Sequence, residues 1–145
     1  MYYVDQDQIR ARLEFIPTIV ETLRSLAAQE DNTSLIAHFA QERALHLGIE
    51  VVTDVGSLLI DGFMMRNASS YEDIVVVLTG EGVLPAETAE GLKSLITLRR
   101  PLTQTYMELD RSVPLRGDLE TVAQLLESFP AFVNAFIDKE LQPFV

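Results

Sequence analysis

The stretch from Leu35 to Phe63 constrains the fold most. Leu35, Phe39, Leu45, Leu47, Ile49, Val51, Val52, Val55, Leu58, Leu59, Ile60 and Phe63 recur along it, with no proline between them. Apolar residues on every side of a helix leave no face for water, so such a helix must be covered on several sides. The expectation is a helix from about Ser34 to Met65 that is central to a bundle or also lines an interface between two copies. Gly48, Gly56 and Gly62 cost helix propensity there, and close approach of a neighbouring element is a reason to keep them.

The remaining elements also read as helices. Asp5 or Asp7 can cap a first helix running to about Glu30, with Ile9, Leu13, Ile16, Val20, Leu23 and Leu26 at helical spacing. Asp31-Asn32-Thr33-Ser34 is a turn and cap signal before the long helix. Ser70-Tyr71-Glu72-Asp73 pairs a cap with acids in a first turn. Ile74–Leu78 is β-branched enough for a strand, but a lone strand would have no partner in this chain, so it is assigned to a helix. Pro85 opens the next helix. Ser112-Val113-Pro114-Leu115-Arg116-Gly117 reads as a loop, and Asp118 caps a last helix to about Leu141. Pro17 and Pro130 should bend the first and last helices. The chain has 145 residues, which fits one domain, 1–145, and it has no internal repeat. The fold class is all-α: an up-and-down bundle of four long helices with an additional short helix.

Composition removes several chemistries. There is no cysteine, so disulfides, thiolate metal sites and cysteine nucleophiles are excluded. No glycine-rich phosphate loop follows a strand, and no cofactor is expected. The start lacks a basic segment and an apolar segment of the secretory kind, and no apolar run is long enough to span a bilayer; the expected location is the cytoplasm. The net charge of −11 repels nucleic acid unless cations are gathered locally. Arg99, Arg100, Arg111 and Arg116 are so gathered, with pairing to the acidic excess as the alternative.

Two polar patterns carry the candidate chemistry. On the long helix, Glu42, Arg43, His46, Glu50, Asp54, Ser57 and Asp61 form a stripe at steps of three and four. His46, Glu50 and Asp54 have the spacing of metal ligands on one helix. Di-metal sites in bundles use Glu-x-x-His pairs from several helices, which this chain lacks, so no metal is assigned and an ion-paired face is preferred. His38, the other histidine, reads as a packing or surface residue. The second pattern is Leu98-Arg99-Arg100-Pro101-Leu102-Thr103-Gln104-Thr105-Tyr106, set in an apolar run from Leu92 to Leu109. As one helix, that run places Arg99 and Tyr106 two turns apart on one face, with a kink or break at Pro101.

This second pattern resembles the signature of the HepT-like branch of the HEPN superfamily, small all-helical ribonuclease toxins, which reads Phe-Arg-Asn-x-Leu-Val-His-x-Tyr. Arg99, Leu102 and Tyr106 match it, while Leu98, Arg100 and Gln104 stand for its Phe, Asn and His. The resemblance extends through Glu42–Glu50, Asp54, Gly56, Asp61–Phe63, Ser70–Asp73 and Gly82–Pro85. It implies a homodimer with a cleft where two signatures meet, an RNA substrate and a nucleotidyltransferase antitoxin that modifies Tyr106 with AMP. It also implies that the polar stripe faces the signature, so that Glu50 or Asp54 holds Arg99. Arg99 and the position of Gln104 are then the catalytic pair, with Arg100 and His46 in support. Glutamine can hydrogen-bond but cannot exchange a proton near pH 7, so RNA cleavage is expected to be lost or weakened. Two alternatives remain: an active metal-independent endoribonuclease with another proton-transfer group, and a non-enzymatic interaction bundle. Arginines neutralised by Glu50, Asp54 or Asp61 would favour the last.

Overall fold

Polar caps start most of the helices where the sequence places them. Asp5 accepts from the Gln8 N–H at 3.1 Å and opens α1, Gln6–Ala27. Ser34 accepts from Ala37 at 3.1 Å and opens α2, Leu35–Gly62. Ser70 accepts from Asp73 at 3.0 Å and opens α3, Tyr71–Gly80, so the β-branched run is helical. Pro85 precedes α4, Ala86–Ile96, and Asp118 opens α6, Leu119–Glu140, by accepting from Glu120 and Thr121. Between α4 and α6 lie the short α5, Arg99–Thr103, and a 3-10 turn, Tyr106–Glu108. This computed structural model describes residues 2–29, 34–112 and 118–142, and every regular element among them is helical. The expected turn at Asp31–Thr33 and most of the loop before Asp118, including Arg116, lie outside the described residues.

The run Leu92–Leu109 is not one helix, which corrects the expectation that Arg99 and Tyr106 share a helical face. Pro101 supplies the reason. Its ring crowds the carbonyl four residues earlier, that of Thr97, and its nitrogen has no hydrogen to donate. Thr97 is where α4 stops, and the chain re-enters a helix at Arg99 with Pro101 in the first turn, where proline is tolerated. By contrast α1 and α6 run through Pro17 and Pro130 as single elements. The two prolines line one groove between those helices, with a volume of about 630 Å³.

The bundle closes on itself. α1 packs on α2 and α6, α3 packs on α2 and α4, α4 on α6, and α5 lies against α2. Ile49, Val52, Val55 and Leu59 of α2 are fully buried, so the long apolar helix is central as expected. Each such side chain is worth about 1.5–3 kcal/mol relative to exposure. Gly56 explains how α3 sits so near: a Cβ there would lie 2.4 Å from Cγ2 of Ile74. α2 ends earlier than Met65, because Met64 adopts a left-handed φ of 56° and Met65 turns back to donate to the Ile60 carbonyl. Among the described residues, no helix is long and apolar enough to cross a membrane.

Candidate functional site

The signature segment folds as a short helix held against α2. Arg99 begins α5, and its guanidinium carbon lies 3.8 Å from the centre of the Tyr71 ring. Its Nε is buried and has no hydrogen-bond partner among the described residues. Thr103 donates its hydroxyl to the Arg99 carbonyl at 2.7 Å, so the last turn of α5 is tied to the first. The backbone of Gln104 closes α5 by donating to the Arg100 carbonyl at 2.8 Å. The Arg100 and Gln104 side chains are exposed, and Tyr106 in the 3-10 turn is 51% exposed.

The expected pairing of Arg99 with Glu50 or Asp54 is not formed. Asp54 instead takes Arg12 of α1, at 3.4 Å. Glu50 takes His46, at 3.3 Å, and the other ring nitrogen of His46 meets Arg43, also at 3.3 Å. The physical reason is direction: Glu50 and Asp54 line a recess with Ala11, Arg12 and Phe15, which turns that part of the stripe toward α1. The first part of the stripe does reach the chain beyond α5. Glu42 holds Arg111 through two bonds of 2.7 and 2.8 Å, which raises the Arg111 pKa. The expected cluster of arginines therefore splits. Arg111 is neutralised, whereas Arg99 and Arg100 have no carboxylate partner among the described residues. Nor does any group of three His, Asp or Glu there stand close enough to hold a metal ion.

Tyr71 is the residue that the sequence reading missed. It is the first residue of α3, and its surroundings fix it. Arg66 grips Asp73 with two bonds of 2.8 and 2.9 Å, and the Ser69 N–H donates to the same carboxylate at 2.9 Å. The Arg66 bonds hold the Asp73 carboxyl well below the usual carboxylate range. Asp73 in turn donates its own N–H to the Ser70 cap. The ring of Tyr71 also walls a cavity of about 490 Å³, with Thr53, Asp54, Ser57, Asp61 and Asn67. The available signal was the arginine, since a cation in a largely apolar run needs some partner, and aromatic faces supply one.

Two further polar residues are buried, one of them the histidine read as a packing or surface residue. His38 and Gln41 of α2 are fully enclosed, and none of their polar side-chain atoms has a partner among the described residues. Asp110 lies near enough to His38 to sense it, although its lowered pKa comes mainly from the Ser112 hydroxyl and N–H.

Known proteins resemble this chain in sequence and in fold. The family model described as "Ribonuclease HepT-like" matches residues 10–133. A Bacillus subtilis (strain 168) protein named "Putative RNase YutE" is 35% identical over 143 residues, which cover 99% of this chain and 96% of that protein. A solved structure of YutE, described as a cytosolic protein of unknown function, superposes with a TM-score of 0.81 at 34% identity, covering 100% of this chain and 99% of that one. The tri-AMPylated Shewanella oneidensis HEPN toxin, solved in complex with the MNT antitoxin, shares the fold. Its TM-score is 0.69 at 16% identity, over 88% of this chain and 95% of the toxin. With a family match over most of its length and a relative similar from end to end, the chain belongs to the HepT-like ribonuclease family.

Proposed function

We propose that this chain, as a single HepT-like helical domain in the cytoplasm, is the toxin-type member of a toxin–antitoxin pair, with RNA cleavage lost or weakened. The observation that carries the reading is the un-neutralised Arg99. In a chain of net charge −11, the signature arginine has no carboxylate partner among the described residues and keeps a buried Nε–H unsatisfied. A charge-assisted bond from the terminal guanidinium N–H groups of Arg99 to an RNA phosphate would use that charge, and Arg100 beside it adds a second cation. Arg99 then stabilises charge on the phosphate, and Gln104 stands at the catalytic position without a proton to exchange. His46 does not replace it, because both of its ring nitrogens are engaged by Glu50 and Arg43.

The partners follow from the same reading. Ile36 and Phe39, 84% and 55% exposed on α2, and Phe15, 40% exposed on α1, support a homodimer through this side of the molecule. Exposed apolar residues of this size are costly unless covered. A nucleotidyltransferase antitoxin is the second partner. Its target is Tyr106, whose hydroxyl oxygen attacks the α-phosphate of ATP, gaining AMP and losing its proton, while pyrophosphate leaves. The exposure of Tyr106 supports this assignment.

The test is RNA cleavage by the wild type beside Arg99→Ala and Gln104→His. The expected result is little or no cleavage by the wild type, activity in Gln104→His, and none when Arg99→Ala is added to it. Wild-type cleavage abolished by Arg99→Ala would overturn the loss of activity and establish an active endoribonuclease. Silence in every variant, with no RNA binding, would establish an interaction bundle instead.

A further inference from the structure

We infer that Tyr71 is a positioning residue for the signature arginine: its ring holds the Arg99 guanidinium in place for an RNA phosphate while leaving the positive charge unspent. The inference rests on the proposed role of Arg99 and deepens it. A carboxylate can also hold an arginine, as Glu42 holds Arg111, but it takes up the charge and the paired N–H donors. An aromatic face attracts the cation through its quadrupole and accepts none of the N–H groups in their own plane. With its guanidinium carbon 3.8 Å from the centre of the Tyr71 ring, Arg99 is held but not neutralised, and its Nε–H is left without a partner among the described residues.

The surrounding structure spends several interactions on placing that ring. Gly56 lets Ile74 and Leu78 of α3 press onto α2. The Arg66–Asp73 pair and the Ser70 cap then fix the first turn of α3, where Tyr71 sits. Tyr71 makes no hydrogen bond with the described residues, so its ring and not its hydroxyl is what the site uses. That distinction makes the phenylalanine variant informative.

The experiment is a binding cycle, read by fluorescence anisotropy with a fluorescein-labelled single-stranded RNA of mixed sequence at low salt. The proteins are wild type, Arg99→Ala, Tyr71→Phe, Tyr71→Leu and the Arg99→Ala/Tyr71→Leu double variant. Arg99→Ala should weaken binding about tenfold. Tyr71→Phe should stay near the wild type, Tyr71→Leu should weaken binding about threefold or more, and the double variant should bind no worse than Arg99→Ala alone. A purely structural tyrosine would give additive losses instead. Wild-type affinity in Tyr71→Leu beside a weakened Arg99→Ala would overturn the positioning role and leave the proposed function standing. Unchanged binding in Arg99→Ala would overturn that function itself, and the positioning role with it. NMR of the wild type decides the matter even where Tyr71→Leu does not fold. The Arg99 side-chain protons should be shielded by the ring, and should stay shielded while RNA shifts the resonances of the terminal guanidinium N–H groups. Loss of shielding on RNA addition would mean that Arg99 leaves Tyr71 to bind, which overturns the inference.

Discussion

Two arginines in this molecule are held in opposite ways. Arg24 of α1 lies between two carboxylates of α6, with Nε 3.2 Å from Glu120 and a terminal nitrogen 2.6 Å from Glu127. Arg99 lies over a tyrosine ring, with no carboxylate partner among the described residues. The first arrangement raises the Arg24 pKa and lowers that of Glu127, so each charge is satisfied by the other. It joins the first helix to the last and leaves little for a ligand. The second fixes a guanidinium with weaker forces and leaves a donor unsatisfied at a cost to stability. In so acidic a chain carboxylates are plentiful, and Arg10, Arg12, Arg24, Arg66 and Arg111 all have one. The difference therefore separates cations that build the bundle from cations that are available to an anion.

The largest way to break this contrast is through Gly56. A valine there forces Ile74 away and should cost about 1–3 kcal/mol in chemical denaturation. It should also displace Tyr71 and weaken RNA binding, while leaving the Arg24 clamp intact in a structure of the variant. Equal stability in Gly56→Val would mean that α3 moves freely, and that the ring is not held in register with Arg99.

The next test asks what an unsatisfied buried polar group costs here. Gln41 is enclosed, and both its amide atoms are unpartnered among the described residues. Gln41→Met keeps much of the shape and removes both groups, so stability should rise by about 1 kcal/mol. A loss instead would show that ordered water serves the amide. The same logic, applied to the two arginines, gives opposite signs. Arg24→Met should lower Tm, by less in high salt, because the pair is partly exposed and screened. Arg99→Met should leave Tm unchanged or raise it while RNA affinity falls. A Tm loss in Arg99→Met as large as that in Arg24→Met would make Arg99 a structural cation and erase the contrast.

How far the sequence announced this arrangement depends on the range of the interaction. Caps act over three residues, so Asp5, Ser34, Ser70 and Asp118 were legible and start the helices they were assigned to. The all-round apolarity of α2 was legible as burial, since no other arrangement covers such a helix. The break after Ile96 was only half legible. Pro101 was a marked disturbance, but its effect falls at Thr97, four residues back along the helix, and it ends the element there. The partner of Arg99 was not legible. The family resemblance pointed to Glu50 or Asp54, yet which side of α2 meets α5 is set by the packing of the whole bundle, and Asp54 goes to Arg12. An aromatic partner leaves no periodic trace, so Tyr71 could be found only in three dimensions.

The smallest effect concerns the clamp beneath Tyr71. Asp73 accepts from Arg66, Ser69 and its hydroxyl, and its folded-state pKa is depressed by the Arg66 bonds above all. A depressed carboxylate contributes stability that is fully present above its unfolded value, near 3.9, and is lost as pH falls through the folded value. Asp73→Asn should therefore lower Tm slightly at pH 7, and the gap to the wild type should shrink on acidification below about pH 4. A gap that stays constant with pH would assign the loss to the Ser69 and Ser70 turn geometry and not to charge. The variant also bears on Arg99, since loosening the first turn of α3 loosens the ring. If the Arg66–Asp73 pair serves the site as well as the fold, RNA affinity in Asp73→Asn should fall together with the shielding of the Arg99 protons. Loss of Tm with full shielding would confine the pair to the fold, and would place the Arg24 and Arg66 pairs on one side of the contrast, with Arg99 alone on the other.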